Sequence, residues 1–374
     1  MPPPLRCVTD ETSVRESHAR KGEGFIYACT VRGESHKTKN SSCQDAHLVW
    51  VGEENGLDFH ILAVADGHGA ARHDLSEYGS ELAVRAAVAR LREMCHNFGS
   101  SNHNLWNNFS LHFPRLLQNS WQRDVIHHAA NYSSCQDKEP PNDELTGLPC
   151  EVDQSPVETV QEHIESDVQA QHELFVRYGT TLSVAICTPT HLLMGRLGDG
   201  DTVLFHQDNL PLYPFPPNDQ IRGVFSLCHS EAPLLWEVSC HERSQHDLLL
   251  LTTDGLANSF DDTGGSDAFE RFVRSFQARI RQEEVERVMS DIAPWLNQCS
   301  QQGSQDDITL AFVLLGRLQP LLNLDGLDSN TGKEAAIEPD GDVDRNLESQ
   351  LKPSVIAESE ISVSAQAMQL RSTA

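Results

Sequence analysis

The stretch Phe59-His60-Ile61-Leu62-Ala63-Val64-Ala65-Asp66-Gly67-His68-Gly69 passes from apolar to charged within a few residues. Ile61 to Ala65 is an apolar run of strand length bounded by Gly56 and Gly67, which predicts a largely buried strand. Asp66 ends it, and a carboxylate at the rim of a core is costly unless a cation offsets its desolvation. Gly67 and Gly69 allow a sharp turn and a close backbone approach to a ligand, and His68 places a titratable ring beside the charge. One such turn proves little, because a capped Asp-Gly turn explains it equally well.

The chain repeats the device. Leu248 to Leu251 run into Thr252-Thr253-Asp254-Gly255, and Leu192 to Leu197 into Gly198-Asp199-Gly200-Asp201. Asp306-Asp307 opens the run Ile308 to Leu315, and Gln44-Asp45 opens Ala46 to Val51. Gathered by the fold, those ends form an all-oxygen cage suited to hard cations such as Mg²⁺ or Mn²⁺.

Composition narrows the classes. The 374 residues suffice for one large domain with appendages or for two domains. No apolar run approaches the ~18 residues of a membrane span. The opening Met1-Pro2-Pro3-Pro4-Leu5-Arg6-Cys7 lacks the apolar region of a signal peptide, so a cytoplasmic location is expected. The 10 cysteines show no C-x-x-C pair, and in a reducing compartment they read as small core residues. A net charge of −27 argues against nucleic-acid or anionic-membrane partners. Residues 137–173 carry −10 of it and residues 319–374 carry −6, the mark of solvated appendages. The 18 histidines include no HExxH and no zinc-like spacing with Cys.

In chain order, residues 1–24 read as a loose polar arm, Phe25 to Val31 as a first strand and Arg32 to Ser42 as a turn. Leu75 to Cys95 has helical spacing through Leu82, Ala86 and Met94, and a second helix begins near Pro114 with Leu117, Trp121 and Val125 on one face. Residues 131–154 read as an inserted loop, and Ser155-Pro156-Val157-Glu158 as a helix start whose stripe follows through Val160, Ile164 and Val168. Leu182 to Cys187 and Leu192 to Leu197 form a hairpin and Thr202 to His206 another strand, and four prolines between Pro211 and Pro217 mark the segment before Asp247 as a flap-like excursion. Two amphipathic helices, Phe269 to Ile280 and Glu284 to Leu296, precede the last strand, and residues 317–374 read as a disordered acidic tail. Strands joined by hairpins favour antiparallel α+β layers over a doubly wound sheet.

Asp66-Gly67-His68-Gly69, Gly179-Thr180-Thr181, Gly198-Asp199-Gly200, Thr253-Asp254-Gly255 and Asp306-Asp307-Ile308-Thr309 stand in an order that resembles the metal-dependent (type 2C) protein phosphatases. Ser35-His36 with Cys43-Gln44-Asp45-Ala46 is similar to a bacterial branch of that family, over residues 25–316. The resemblance implies a four-layer α-β-β-α sandwich of two antiparallel sheets. It also implies hydrolysis of protein phosphoserine or phosphothreonine at a two-metal site of Mn²⁺ or Mg²⁺ with a weaker third ion. On that reading Asp66 bridges the two metals and the Gly67 carbonyl binds one, Asp254 and Asp306 ligate the other, and Asp45 acts through bound water. Asp199 with Asp254 holds the third, and His68 protonates the leaving oxygen, a role that suits a group titrating near neutral pH. The implied partners are a phosphoprotein substrate and a cognate serine/threonine kinase.

Two positions depart from the family pattern. The Arg expected five residues before Asp45, where it grips substrate phosphate, is Asn40. Lys39 or Lys37 is the expected substitute, with Arg32 and Arg72 behind them. The Asn expected after Asp306 is Asp307, an added negative charge beside the cage. Three readings follow: an active phosphoprotein phosphatase, a phosphatase-fold binding module without activity, and a phosphatase of a small phosphoester.

Overall fold

Residues 13–21, 24–136, 169–206, 211–216, 225–260 and 266–315 are described in the structure, a computed structural model. The central strand β4 (Leu57–Ala65) is buried from Phe59 to its end, as its unbroken apolar run requires. It pairs antiparallel with β3 (Ala46–Glu54) and β5 (Leu182–Cys187). With β6 (His191–Leu197) and β9 (Glu237–Glu242) these form a five-stranded sheet in the order β3-β4-β5-β6-β9.

The second sheet runs β1 (Val14–Lys21), β2 (Gly24–Val31), β11 (Ile308–Leu314), β10 (His246–Thr252), β7 (Asp201–His206) and β8 (Pro211–Leu212), again antiparallel.

Three apolar clusters make four layers. Between the sheets lie Ile26, Ala28, Leu62, Val64, Met194, Leu249 and Val313. Outside the first sheet, Leu82, Ala83, Ala87 and Leu91 of α2 (Ser76–Phe98) pack with Phe59, Ile61 and Ala63. Helices α3 (Asn102–Leu111) and α4 (Phe113–Gln136) complete that layer through Phe109, Leu117, Trp121 and Val125. Outside the second sheet lie Phe276 and Ile292, on helices Ser266–Gln282 and Val285–Gln302. This is the α-β-β-α sandwich, each buried Leu, Ile or Phe contributing ~1.5–3 kcal/mol. Among the described residues no helix is long and apolar enough to cross a membrane.

Four local expectations change. Val14–Lys21 is an edge strand paired along its whole length with β2, not a loose arm. Its polar residues Glu16, His18 and Arg20 face outward, so it lacks the apolar content that marks an inner strand. The turn after β2 contains a short helix, α1 (Glu34–Lys39). The excursion before Asp247 includes the edge strand β9, and α4 continues to Gln136, six residues into the expected 131–154 loop. The rest of that loop, the helix from Ser155 with its stripe, and the tail from 317 lie outside the described residues.

His47 of β3 crosses between the sheets. Its ring bonds the Thr30 hydroxyl of β2 at 2.7 Å and the Ser17 hydroxyl of β1 at 3.1 Å. Thr30 in turn meets Thr309 of β11 at 2.8 Å.

On the α2 side, the packing that shapes the Gly179 loop is tight enough to test. A Cβ built on Gly79 would lie 1.9 Å from the Tyr178 carbonyl oxygen, while the Gly79 carbonyl accepts a 3.0 Å bond from the buried Trp121 indole. Mid-helix Gly→Ala ordinarily stabilises by ~1 kcal/mol. Gly79→Ala is expected instead to lower the melting temperature, by several degrees. A raised melting temperature would refute the close approach.

Candidate functional site

Antiparallel pairing puts the expected acidic ends on one edge of the sandwich. Ala46 and Ala65 are register partners, so Asp45 and Asp66 leave β3 and β4 side by side. Thr252 pairs with both Leu310 and Asp201, which brings Asp254, Asp306 and the Asp199 turn to the same end of the second sheet. A Cβ built on Gly255 would sit 2.2 Å from the Asp307 carbonyl oxygen, so only glycine lets the Asp254 turn approach Asp306-Asp307 this closely.

The peptide groups of Asp66 are clamped. Its N–H donates to the Thr181 hydroxyl at 3.1 Å, while its carbonyl accepts from the Thr181 N–H and the Thr180 hydroxyl, both at 2.8 Å. Gly67 N–H donates to the Gln44 carbonyl at 3.1 Å, and His68 N–H to the Gly179 carbonyl at 3.1 Å. Thr180 and Thr181 therefore build the site through the backbone. One oxygen of Asp45 accepts the Thr253 hydroxyl at 2.8 Å. The Asp45 carbonyl accepts from the Arg15 guanidinium, and Arg15 also faces Glu81 at 3.7 Å. The edge strand thus supports the site, and nothing in its polar sequence signals this.

The carboxylates repel one another. Burial drives Asp66 well above the carboxylate range, and the charges of Asp45, Asp254 and Asp306 push it further. Burial, then the charge of Asp307, raises Asp45 well up despite the Thr253 bond. Asp199 is lifted to about 6 by burial and then by Asp254. Asp201, outside the expected set, also rises to about 6, chiefly through burial. Burial raises Asp306 too, and the charges of Asp307 and Asp254 add to it. A cluster of hard oxygen donors in mutual repulsion fits divalent cations of the Mg²⁺ and Mn²⁺ kind.

Asp307 behaves differently from the expectation of a free added charge. Burial alone would raise it, but hydrogen bonds hold it below the usual carboxylate range. Its oxygens accept from the Gly33 N–H at 2.6 Å, the Gln44 N–H at 2.6 Å and His36 Nδ1 at 2.9 Å. His36, Asp306 and Asp307 offer three ligand atoms within 4.8 Å of one another, yet His36 and Asp307 already bond each other. Asp307 is a tether tying α1 and the Asp45 approach to β11.

His68 is held low. Burial first, then His73, His229 and Arg72, push its ring down to about 4, so it is neutral at pH 7, not the near-neutral titration expected from sequence. Its ring packs 4.9 Å from that of His73. Of the expected phosphate cations, Lys37 donates to Asn297 at 2.9 Å and faces Glu34 at 3.7 Å, so it is engaged away from the cage. Lys39 is exposed near the end of α1. Asn40 caps that helix with φ 53°, a left-handed conformation that Asn tolerates and Arg disfavours.

The family model described as Protein phosphatase 2C matches residues 32–297. The chain belongs to the protein phosphatase 2C family. This phosphatase 2C chain is also similar to a bacterial serine phosphatase of known structure, at 13% identity and TM-score 0.47, covering 79% of this chain and 98% of that one. It is similar to the serine/threonine phosphatase Stp1 from Staphylococcus aureus, at 12% identity and TM-score 0.43, over 80% and 94% of the two chains. The Mycobacterium tuberculosis serine/threonine phosphatase PstP/Ppp matches at 15% identity and TM-score 0.41, over 81% and 99%. No curated protein matches the chain.

In this phosphatase 2C chain Asp307→Ala would strand two backbone donors, the buried Gly33 N–H and the half-buried Gln44 N–H. The expected cost is about 3 kcal/mol, read as a lower denaturant midpoint at unchanged m-value. A midpoint within experimental error of wild type would show that Asp307 is no tether.

Proposed function

We propose that the chain is a metal-dependent serine/threonine protein phosphatase that removes phosphate from phosphoserine and phosphothreonine in proteins. The observation carrying this reading is the gathering of Asp45, Asp66, Asp254 and Asp306 from four strand ends into one mutually repelling cluster beside His68. Asp66, the Gly67 carbonyl, Asp254 and Asp306 would hold two Mn²⁺ or Mg²⁺ ions, with Asp45 behind them and Asp199 with Asp254 at a weaker third position. Such ions neutralise phosphoryl charge and lower the pKa of a water they bind.

The chain's own residues position and protonate. Thr180 and Thr181 fix the Asp66 peptide groups, and Thr253 aims Asp45, so little rearrangement is needed when substrate arrives. His68 donates a proton to the departing serine or threonine oxygen. A phosphoryl dianion beside the ring raises its affinity for that proton, countering the burial that holds it low. The partner is a phosphoprotein and, by the logic of reversible phosphorylation, the kinase that made it. A cytoplasmic setting fits this reading.

Phosphate release from a phosphoserine peptide with Mn²⁺, set against EDTA, tests the activity directly. A folded protein that releases none with Mn²⁺ would favour a binding module. Asp66→Asn and Asp254→Asn are expected to reduce release to background and to lose the Mn²⁺-induced rise in melting temperature. Their metal-free melting temperatures should equal or exceed wild type, because each removes a repelling charge. Near-normal turnover in either variant at saturating Mn²⁺ would remove that residue from the ligand set.

His68→Ala should lower kcat for the phosphoserine peptide by roughly 10²-fold. The loss should be much smaller for p-nitrophenyl phosphate, whose leaving group departs without a proton. Equal losses on both substrates would contradict the proton-donor role.

A further inference from the structure

We infer that Arg72, held in place by His73, is the side chain that grips the substrate phosphate where Asn40 cannot. The inference rests on the phosphatase reading and adds its missing cation.

Arg72 lies on the short 3₁₀ turn Ala71–His73, separated from His68 and Gly69 only by Ala70. His73 is buried, and its Nδ1 bonds the Val176 carbonyl. A carbonyl can only accept, so Nδ1 carries the proton and Nε2 is left as an acceptor. That acceptor receives the Arg72 Nε–H at 2.9 Å. Burial and the Arg72 charge keep His73 in this neutral form, outweighing the Val176 bond.

One edge of the guanidinium is therefore fixed. Among the described residues its two terminal nitrogens have no hydrogen-bond partner, and the residue is exposed. The turn itself is anchored: Arg177 makes two 2.8 Å bonds to Asp74, and Leu75 N–H donates to the Arg177 carbonyl at 2.9 Å. The His73 ring that Arg72 bonds lies 4.9 Å from that of His68, and the Arg72 charge acts on both His68 and His229. An oriented guanidinium presenting free donors beside His68 matches a phosphoryl dianion with two adjacent oxygens.

The competing cations are committed or strained. Lys37 is engaged by Asn297 and Glu34, and one terminal nitrogen of Arg32 donates to the His36 carbonyl at 3.2 Å. Arginine at position 40 would have to adopt φ 53°. Lys39 is exposed and free among the described residues, but it is a flexible ammonium that nothing orients.

The test uses the full chain with Mn²⁺ and two probes, a phosphoserine peptide and inorganic phosphate. Arg72→Ala is expected to raise the KM for peptide and the inhibition constant of phosphate by about tenfold or more, with kcat changed far less. Arg72→Lys should fall between, keeping charge without the fork, and added guanidinium ion should partly restore Arg72→Ala. His73→Asn keeps a donor toward Val176 but its shorter side chain places no acceptor at the Nε2 position that holds Arg72, so it should raise KM in the same sense with a smaller effect. Phosphate should raise the melting temperature of wild type with Mn²⁺ but not of Arg72→Ala, a readout independent of turnover. Unchanged phosphate inhibition and an unchanged phosphate-induced shift in Arg72→Ala would overturn the inference, as would a selective rise in KM in Lys39→Ala instead. Wild type that hydrolyses nothing defeats the phosphatase reading, while the thermal shift still decides whether Arg72 binds phosphate.

Discussion

Everything at the working end of this protein answers to one electrostatic constraint, the repulsion among carboxylates that the strands deliver to a common edge. Asp66 feels Asp45, Asp254 and Asp306, and burial compounds the effect. Left to side-chain packing alone, such a group would splay. It is held instead by main-chain bonds that do not depend on charge: the Thr180-Thr181 clamp, the Gly67 bond to Gln44 and the contact of Gly255 with Asp307. The repulsion stays available to a bound cation, while the scaffold resists it.

Asp307 shows the same logic with the opposite sign. It is the one acid of the group held below the ordinary range, because three donors converge on it. Its charge serves the backbone. Sequence position alone suggests an extra repelling acid, and only the convergence of Gly33, His36 and Gln44 on its two oxygens reveals a fastener.

The antiparallel α+β layers and the acidic strand ends were legible because they follow from strong, local signals, while the four-layer sandwich was what the family resemblance implied. Apolar strand runs and Asp-Gly turns survive any tertiary context, and Leu117, Trp121 and Val125 share a buried face as their spacing implies. What escaped were features whose meaning is wholly tertiary. Val14–Lys21 alternates exposed and half-buried positions from Glu16 onward, but with almost no apolar residue to mark the half-buried ones its sequence is indistinguishable from a polar arm. Asn40 reads as a lost arginine in sequence but as a left-handed cap in the chain's conformation. Arg72 sits beside the Asp66-Gly67-His68-Gly69 motif in plain view, yet its orientation depends on a neighbour whose own tautomer is set by Val176, about a hundred residues away.

The polar thread through His47 has a further consequence for how the two sheets stay in register. An apolar interface between sheets is adhesive but without direction, and many relative slides bury similar area. The bonds from His47 to Thr30 and Ser17, continued to Thr309, are satisfied at only one slide. Thr253 repeats the link from the second sheet to Asp45, donating to its carboxylate while accepting the Thr309 N–H at 2.9 Å. The sheets behave as two rulers pinned beside the zero mark, so that any misalignment accumulates toward the far end of the sandwich and is smallest where the carboxylates meet.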